Sequence, residues 1–256
     1  MVTPKIPILF EDSNILVINK PPRLVVDHSD TVKMQTLEDI LKEEHGIRID
    51  RGGIVHRLDK DTSGVMVIAK DSDTLHKLQS QFKNREVKKE YIALAHGFLR
   101  EERLVEGEIM RNPLNREKFM MVENGSLGGK EASTKFVPIE LLVMSSEMIE
   151  KVFAGFSKIQ FRKLKAMNYE LFTLLSCHPL TGRTHQIRVH LKYIGNPIVS
   201  DEKYGGRKVL RLDLRWCPRQ FLHAGKLEFK HPKTGEMVSF EAKLPEDLQN
   251  SLGKLV

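Results

Sequence analysis

Residues 52–70 read GGIVHRLDKDTSGVMVIAK. Two apolar runs, IVHRL and VMVIA, flank the polar segment 59–64, and the economical reading is two strands joined by a loop. Asp59 then stands where strand gives way to loop, with Arg57 two residues before it and Asp61 two after. Upstream, residues 14–20 (NILVINK) are apolar and β-branched and stop at Pro21-Pro22, which predicts a strand entering a loop. Thr36 followed by Asp39 opens a stretch containing Leu37, Ile40 and Leu41 that closes before Gly46, a short capped helix. Downstream, Ser72 precedes Leu75, Leu78 and Phe82 at the spacing of an amphipathic helix, and residues 89–97 (KEYIALAHG) read as a strand.

The second half is similar in kind. Residues 169–177 (YELFTLLSC) read as a strand that ends at the turn Pro179-Leu180-Thr181-Gly182, from which RTHQIRVHLKYIG emerges as a helix. Ile187, Leu191 and Ile194 share one face of it, and His185, Arg188 and Lys192 share another, so one face suits the core and the other suits anions. Gly195 fits the C-terminal cap. Residues 226–230 and 237–244 flank HPKTG, a hairpin signal. Strands and helices without strict alternation predict an α+β fold with a mixed, mostly antiparallel sheet, in one domain that has two halves.

The chain has 256 residues, 40% hydrophobic and 29% charged, a composition that excludes collagen-like, low-complexity and wholly disordered classes. No apolar run approaches the roughly 18 residues of a membrane span, and the N-terminal stretch MVTPKIPILFEDSNILVINK does not read as a secretory leader. Two cysteines are too few for a disulfide framework and suit a reducing cytoplasm. Lys and Arg number 41 against 34 Asp and Glu, a formal charge of +7. Its distribution says more than its sum. Lys203 to Lys230 holds eight cations against Asp213 and Glu228, interleaved with Tyr204, Trp216 and Phe221, which suits a phosphate-tracking surface with stacking faces. Lys151 to Tyr169 holds five cations and no acid, with Phe153, Phe156 and Phe161 among them. A solvated face explains either segment as well.

An ionised carboxylate in a cleft serves as nucleophile or base, and neighbouring guanidinium groups keep it ionised. Asp59 fits that description, although a turn-forming aspartate before Thr-Ser-Gly explains it equally from local sequence. His56 is a candidate base, with a hydrogen-bonded core histidine as the plainer reading. The histidines and cysteines show no paired metal-ligand spacing, and neither Gly52-Gly53 nor Gly128-Gly129 forms a phosphate loop, so zinc and nucleotide-hydrolysis chemistry are not expected.

Five ordered blocks, GGIVHRLDKDTSGVMVIAK, KKEYIALAHG, HPLTGRTHQIRVHL, GNPIVSDEKYG and LHAGKLEFKHP, closely resemble the RluA family of pseudouridine synthases. The resemblance implies that family's fold, a central mixed sheet shared by two halves of a single catalytic domain over residues 1–256, and no cofactor or metal. It implies an enzyme that isomerises uridine in structured RNA, with the target base flipped out. It makes Asp59 the nucleophile, Tyr91 the ring that packs on the uracil and a candidate late base, and Arg183 the arginine that pairs with the carboxylate. Arg57 resembles the residue that holds the RNA open. His56, Thr62, Arg188, Lys203, Arg207, Arg211 and Arg215 are expected as further RNA contacts. Many relatives carry a small RNA-binding module ahead of the catalytic domain, and with the first strand expected to begin near Asn14 none is expected here. The expected partner is ribosomal or transfer RNA, with ribosomal RNA slightly favoured, the expected state a cytoplasmic monomer away from membranes. Two positions depart from the family pattern: Arg23 and Ser200 stand where relatives usually have glycine.

Overall fold

The structure is a computed structural model that describes residues 6–28, 35–122, 125 and 128–256. The chain divides into two compact units, Met1–Glu90 with His223–Lys243 and Tyr91–Leu222 with Leu244–Val256. Both are α+β, and strand pairing is mixed but mostly antiparallel, as the sequence predicts.

The first unit is built on β1 (Ile8–Glu11), β2 (Ile15–Lys20), β3 (Ser63–Ala69), β9 (Leu222–Lys230) and β10 (Met237–Glu241). Antiparallel pairing joins β1 to β2 and β2 to β3, with Ile15 opposite Ala69 and Lys20 opposite Gly64. The parallel pair is β3 with β9, and β10 closes the expected hairpin on β9 with Met237 opposite Lys230. Every residue of β3 is buried, and so are all of β2 but Asn19. Burial on both faces is why these strands read as continuous apolar runs rather than as alternation. Helix α1 (Leu37–Glu44) carries the expected capping box on Thr36 and Asp39. Helix α2 (Ser72–Lys83) starts at Asp71, whose carboxylate accepts from the Thr74 N–H, and lays Leu75 and Leu78 on the core with Val65, Val67 and Phe229.

One expectation fails here. Residues 54–58 are not a strand: only an isolated bridge from Ile54 to Ile68 is present. A 3₁₀ turn at Asp50–Gly53, with Arg51, Gly52 and Gly53 all at positive φ, turns the chain before it can run alongside β3. Apolar composition alone does not separate a buried strand from a buried irregular segment.

The second unit has the order β4 (Lys88–His96), β8 (Leu171–Pro179), β7 (Lys130–Val143), β5 (Arg103–Arg111), β6 (Phe119–Val122), antiparallel throughout. The register of β7 on β8 slips between Pro138 and Glu140, where proline cannot donate to a ladder. Among its described residues five helices complete the unit: α3 (Ser146–Val152), α4 (Lys158–Ala166), α5 (Gln186–Tyr193), α6 (Arg207–Asp213) and α7 (Glu246–Leu252). Phe136, Phe153, Tyr169, Phe172, Trp216 and Phe221 lie in its core. Among the described residues no helix is long and apolar enough to cross a membrane.

Candidate active site

In the first unit Asp59 lies in an irregular segment just before the turn at Lys60 and Asp61, not at a strand end. The Thr62 N–H closes this turn on the Asp59 carbonyl at 3.1 Å. The turn must then enter β3 through Gly64, whose φ is +127° and where any Cβ would overlap the Ala224 backbone of β9. Only glycine allows that approach, so the Thr-Ser-Gly that follows Asp59 fixes where the carboxylate sits. Thr62, expected as an RNA contact, is 2% exposed and shapes the turn from beneath.

A residue that sequence reasoning passed over holds the other side. Lys20 at the end of β2 is fully buried, and its Nζ donates to the carbonyls of Pro21 at 2.8 Å, Leu24 at 3.0 Å and Lys60 at 3.1 Å. One ammonium thus ties the 21–24 loop to the residue after Asp59. The signal available in the sequence was a lysine closing an otherwise apolar strand before Pro-Pro.

Arg57 is not a neighbour supporting Asp59. Its Nη1 donates to Asp27 Oδ2 at 2.9 Å, Arg51 Nη2 reaches the same oxygen at 3.2 Å, and the Arg57 side chain is 63% exposed. His56 is a structural histidine rather than a base. Its Nε2 accepts from the Val67 N–H at 3.2 Å and its ring stacks on Phe82 with centroids 4.6 Å apart. Burial, aided by the Lys89 charge, pushes its pKa down to about 3, so the ring is neutral at ordinary pH and committed as an acceptor.

In the second unit Tyr91 sits on β4 opposite Cys177 of β8, half-buried against the core. Arg183 lies in the turn from β8 into α5, and its Nε donates to the Glu131 carbonyl at 2.8 Å. Gln186, the first residue of α5, organises that turn. Its Oε1 accepts from the Arg183 N–H at 2.9 Å and the Thr181 hydroxyl at 2.6 Å, while its Nε2 donates to the Ser133 carbonyl at 3.0 Å and Thr134 Oγ1 at 2.9 Å. The side chain is buried with its amide fully used, so the arginine turn is riveted to β7.

Arg188 overturns the expectation of an anion-facing helix surface. It is 5% exposed, and Asp201 holds it bidentately, Nε to Oδ2 at 2.8 Å and Nη2 to Oδ1 at 2.9 Å. A guanidinium matched by a carboxylate in the interior has no charge left for RNA. Tyr204, Trp216 and Phe221, expected as stacking faces, are buried as well. Tyr204 instead accepts from the Phe119 N–H at 2.9 Å and bonds His185 Nδ1 at 2.9 Å. Apolar bulk at these spacings was core, the commoner fate of aromatic rings. Lys203 uses Nζ on the Glu117 carbonyl at 3.2 Å, while Arg207, Arg211 and Arg215 are exposed on and just after α6.

Both departures from the family pattern fall at left-handed backbone: φ is +65° at Arg23 and +58° at Ser200. That conformation explains why glycine is usual there. Ser200 is compensated by its surroundings. Its N–H donates to Asp213 Oδ2 at 2.8 Å and its hydroxyl to the Cys217 carbonyl at 2.7 Å. Asp213, buried on α6, also accepts from Tyr169 at 2.7 Å and contacts His96 Nε2 at 3.0 Å. Among the described residues no group of three or more His, Cys, Asp or Glu is placed to hold a metal ion.

An α+β chain with a glycine-locked aspartate turn in one unit and a riveted arginine turn in the other matches the family model described as RNA pseudouridylate synthase over residues 14–193. An uncharacterized RNA pseudouridine synthase of Bacillus subtilis is 36% identical over 254 residues, 97% of this chain and 72% of that protein. The ribosomal large subunit pseudouridine synthase D of Nitrosomonas europaea is 37% identical over 94% of this chain, and the synthase C of Escherichia coli K12 is 35% identical over 97%. The chain spans 62% and 69% of those two proteins. Human RNA pseudouridylate synthase domain containing 1 superposes with a TM-score of 0.68 at 27% identity, covering 94% of this chain and 84% of that one. The chain belongs to the RNA pseudouridine synthase family, isomerases that act on RNA.

Proposed function

We propose that this protein converts uridine to pseudouridine in ribosomal RNA, with Asp59 as nucleophile and the two units working as one catalytic domain. The observation that carries the reading is the Asp59 turn, locked by Gly64 and tied by Lys20, inside the span matched by the family model. The reaction breaks the bond between uracil nitrogen and ribose, turns the base and rejoins it through carbon, releasing the proton of that carbon. Nothing is oxidised or hydrolysed, so the chemistry calls for no cofactor. A stacked uridine is out of reach, so the target leaves the helix at a cost of a few kcal/mol, and stacking on Tyr91 at about 1–3 kcal/mol offsets much of it. Arg183 is the ion partner of the carboxylate, Arg57 holds the RNA open once the target base has left its stack, and Lys203, Arg207, Arg211 and Arg215 meet RNA phosphates. Ribosomal RNA is favoured over transfer RNA by the relatives named as large-subunit synthases.

Tritium release from 5-tritiated uridine in RNA tests the assignment. Asp59→Asn, folded, is expected to abolish it, and release at the parent rate removes Asp59 from the chemistry. Arg183→Ala is expected to lose turnover while keeping most RNA affinity. Free uracil among the products would make the protein a glycosidase instead. Mapping pseudouridine in ribosomal and transfer RNA from cells with and without the protein tests the substrate, and a site lost only from transfer RNA overturns the ribosomal assignment.

A further inference from the structure

The connection between β7 and β8 is far longer than the pairing requires. The two strands are antiparallel neighbours with Val143 opposite Leu171, a register that a turn of about two to five residues closes. Residues 144–170 instead build α3 and α4. This insert is folded rather than a slack loop. Phe153 and Leu164 are buried in the unit's core, with Phe156 and Phe161 packed against it. The ring centroids of Phe153 and Phe156 are 5.2 Å apart, and those of Phe156 and Phe161 6.0 Å. Ser157 and Gln160 form a capping box that starts α4.

The inner face explains the aromatics and leaves the cations unexplained. Lys158, Arg162, Lys163 and Lys165 are all exposed, with no acid between Lys151 and Tyr169. At about 100° per residue Lys158, Arg162 and Lys165 form a stripe about 60° wide along α4. None of the four makes an ion pair with a described residue. Three half-buried lysines elsewhere are matched, Lys226 by Glu228 and Glu241, Lys70 by Glu11, Lys135 by Glu102, and what sets α4 apart is four exposed cations in nine residues with no acid among them. Glu147 and Glu150 belong to α3, ahead of Lys151, so the positive field is that of α4. Arg215 extends it. Its guanidinium lies 4.8 Å from the Phe156 ring centroid and 5.8 Å from that of Phe153, fastening the end of α6 to the insert while remaining exposed.

We propose that α4, with Arg215, is a docking arm that grips the phosphate backbone of structured RNA away from the reacting nucleotide. The proposal rests on the function above only for RNA being the substrate. An unmatched stripe of cations on a folded helix gains most from a polyanion, whose condensed counterions are released on contact. An anionic membrane fits less well. The apolar face of α4 is turned into the core through Phe161 and Leu164, and the exposed Ile159 and Met167 stand about two turns apart rather than forming a continuous apolar face to enter a bilayer.

The test uses the whole protein, a fluorescent RNA hairpin as probe, and a salt titration of the dissociation constant. The variant K158Q/R162Q/K163Q/K165Q is expected to lower the log–log salt slope by about 3–4, since each phosphate contact contributes about 0.9. Between about 50 and 200 mM salt the parent then loses about a hundredfold more affinity than the variant. Lys42→Gln with Lys77→Gln, exposed cations of the first unit, is the control and leaves the slope as it was. A slope lowered by two or more supports the arm, and a smaller change overturns it. Should the fourfold variant misfold by circular dichroism, Arg162→Glu is expected to weaken binding at least threefold, and unaltered binding refutes the proposal. Loss of binding to phosphatidylserine vesicles with RNA binding intact would also refute it. Because the readout is binding, it stands apart from the Asp59→Asn assay, and either can fail without the other.

Discussion

Gln186→Leu removes the side chain that makes most of the bonds fastening the Arg183 turn to β7, leaving Arg183 Nε on the Glu131 carbonyl and the Ser133 N–H on Thr181 Oγ1. Four hydrogen bonds disappear together, to the Arg183 N–H, the Thr181 hydroxyl, the Ser133 carbonyl and the Thr134 hydroxyl. At about 1 kcal/mol net for each bond the loss is about 4 kcal/mol. Burying leucine in the same volume returns about 1–2 kcal/mol, so unfolding in urea is expected to show a net loss of about 2–3 kcal/mol. The kinetic effect is separate. Released from Gln186, the Arg183 backbone is free to shift by about an ångström, a displacement worth about a hundredfold in turnover. Tritium release per folded molecule is therefore expected to fall about that far, with the substrate concentration at half-rate much less affected. Gln186→Glu sharpens the test because it keeps both accepting roles and the shape. Its second oxygen would face the Ser133 carbonyl and has to carry a proton to be accommodated. A carboxyl whose pKa is raised on folding stabilises most at low pH and loses that contribution as pH rises through the folded value. The Glu variant should accordingly be closer to the parent at pH 5 than at pH 8. If Gln186→Leu unfolds within about 1 kcal/mol of the parent, or turns over at the parent rate once folded, the turn is held by something else.

Three further perturbations probe the same framework. Lys20→Met leaves the Pro21, Leu24 and Lys60 carbonyls without their ammonium and is expected to destabilise by about 3–5 kcal/mol in urea, at about 1–1.5 kcal/mol for each bond, with tritium release falling further than the folded fraction; a loss under about 1 kcal/mol would dissociate Lys20 from the Asp59 turn. At Ser200, alanine keeps the left-handed strain and loses the bond to Cys217, whereas glycine relieves the strain. Alanine is thus expected to melt lower than glycine, and the reverse order would mean the φ of +58° carries no strain. His190 on α5 is fully buried with neither ring nitrogen bonded, and burial pushes its pKa from 6.5 down to about 4. The unfolded chain binds the proton first, so stability should fall as pH drops from 6.5 to about 4, by at most about 3 kcal/mol. His190→Leu should flatten that slope and raise stability at pH 7, and an unchanged acid limb in the unfolding curve would show the imidazole is not responsible.

Local signals carried most of the elements. Thr36 with Asp39, the helix from Ser72, and the β9–β10 hairpin around HPKTG all formed where the sequence placed them, because caps and turns depend on neighbours a few residues away. The five family blocks were equally legible, since they name residue types in order and need no coordinates. What the sequence could not tell was the direction in which a side chain spends its charge. Arg188 and Arg211 look alike as letters, yet one is locked inside on Asp201 and the other is exposed on α6. Arg57 precedes Asp59 by two residues and answers to Asp27. The same run of apolar residues made a strand at 65–69 and only a bridge at 54–58, because three consecutive positive-φ residues turn the chain just before it.

The sequence by itself therefore determined the family, the catalytic aspartate's candidacy and the local elements, all of which depend on residue identity and short spacing. The tertiary structure alone decided which cations are unmatched, that the aromatics of 203–230 are core, and that Lys20 and Gln186 hold the two turns. Pairing and burial depend on residues brought together from 13, 40 or 52 positions away. Whether a charge is neutralised or an amide is satisfied is a property of that neighbourhood, and no single residue carries it.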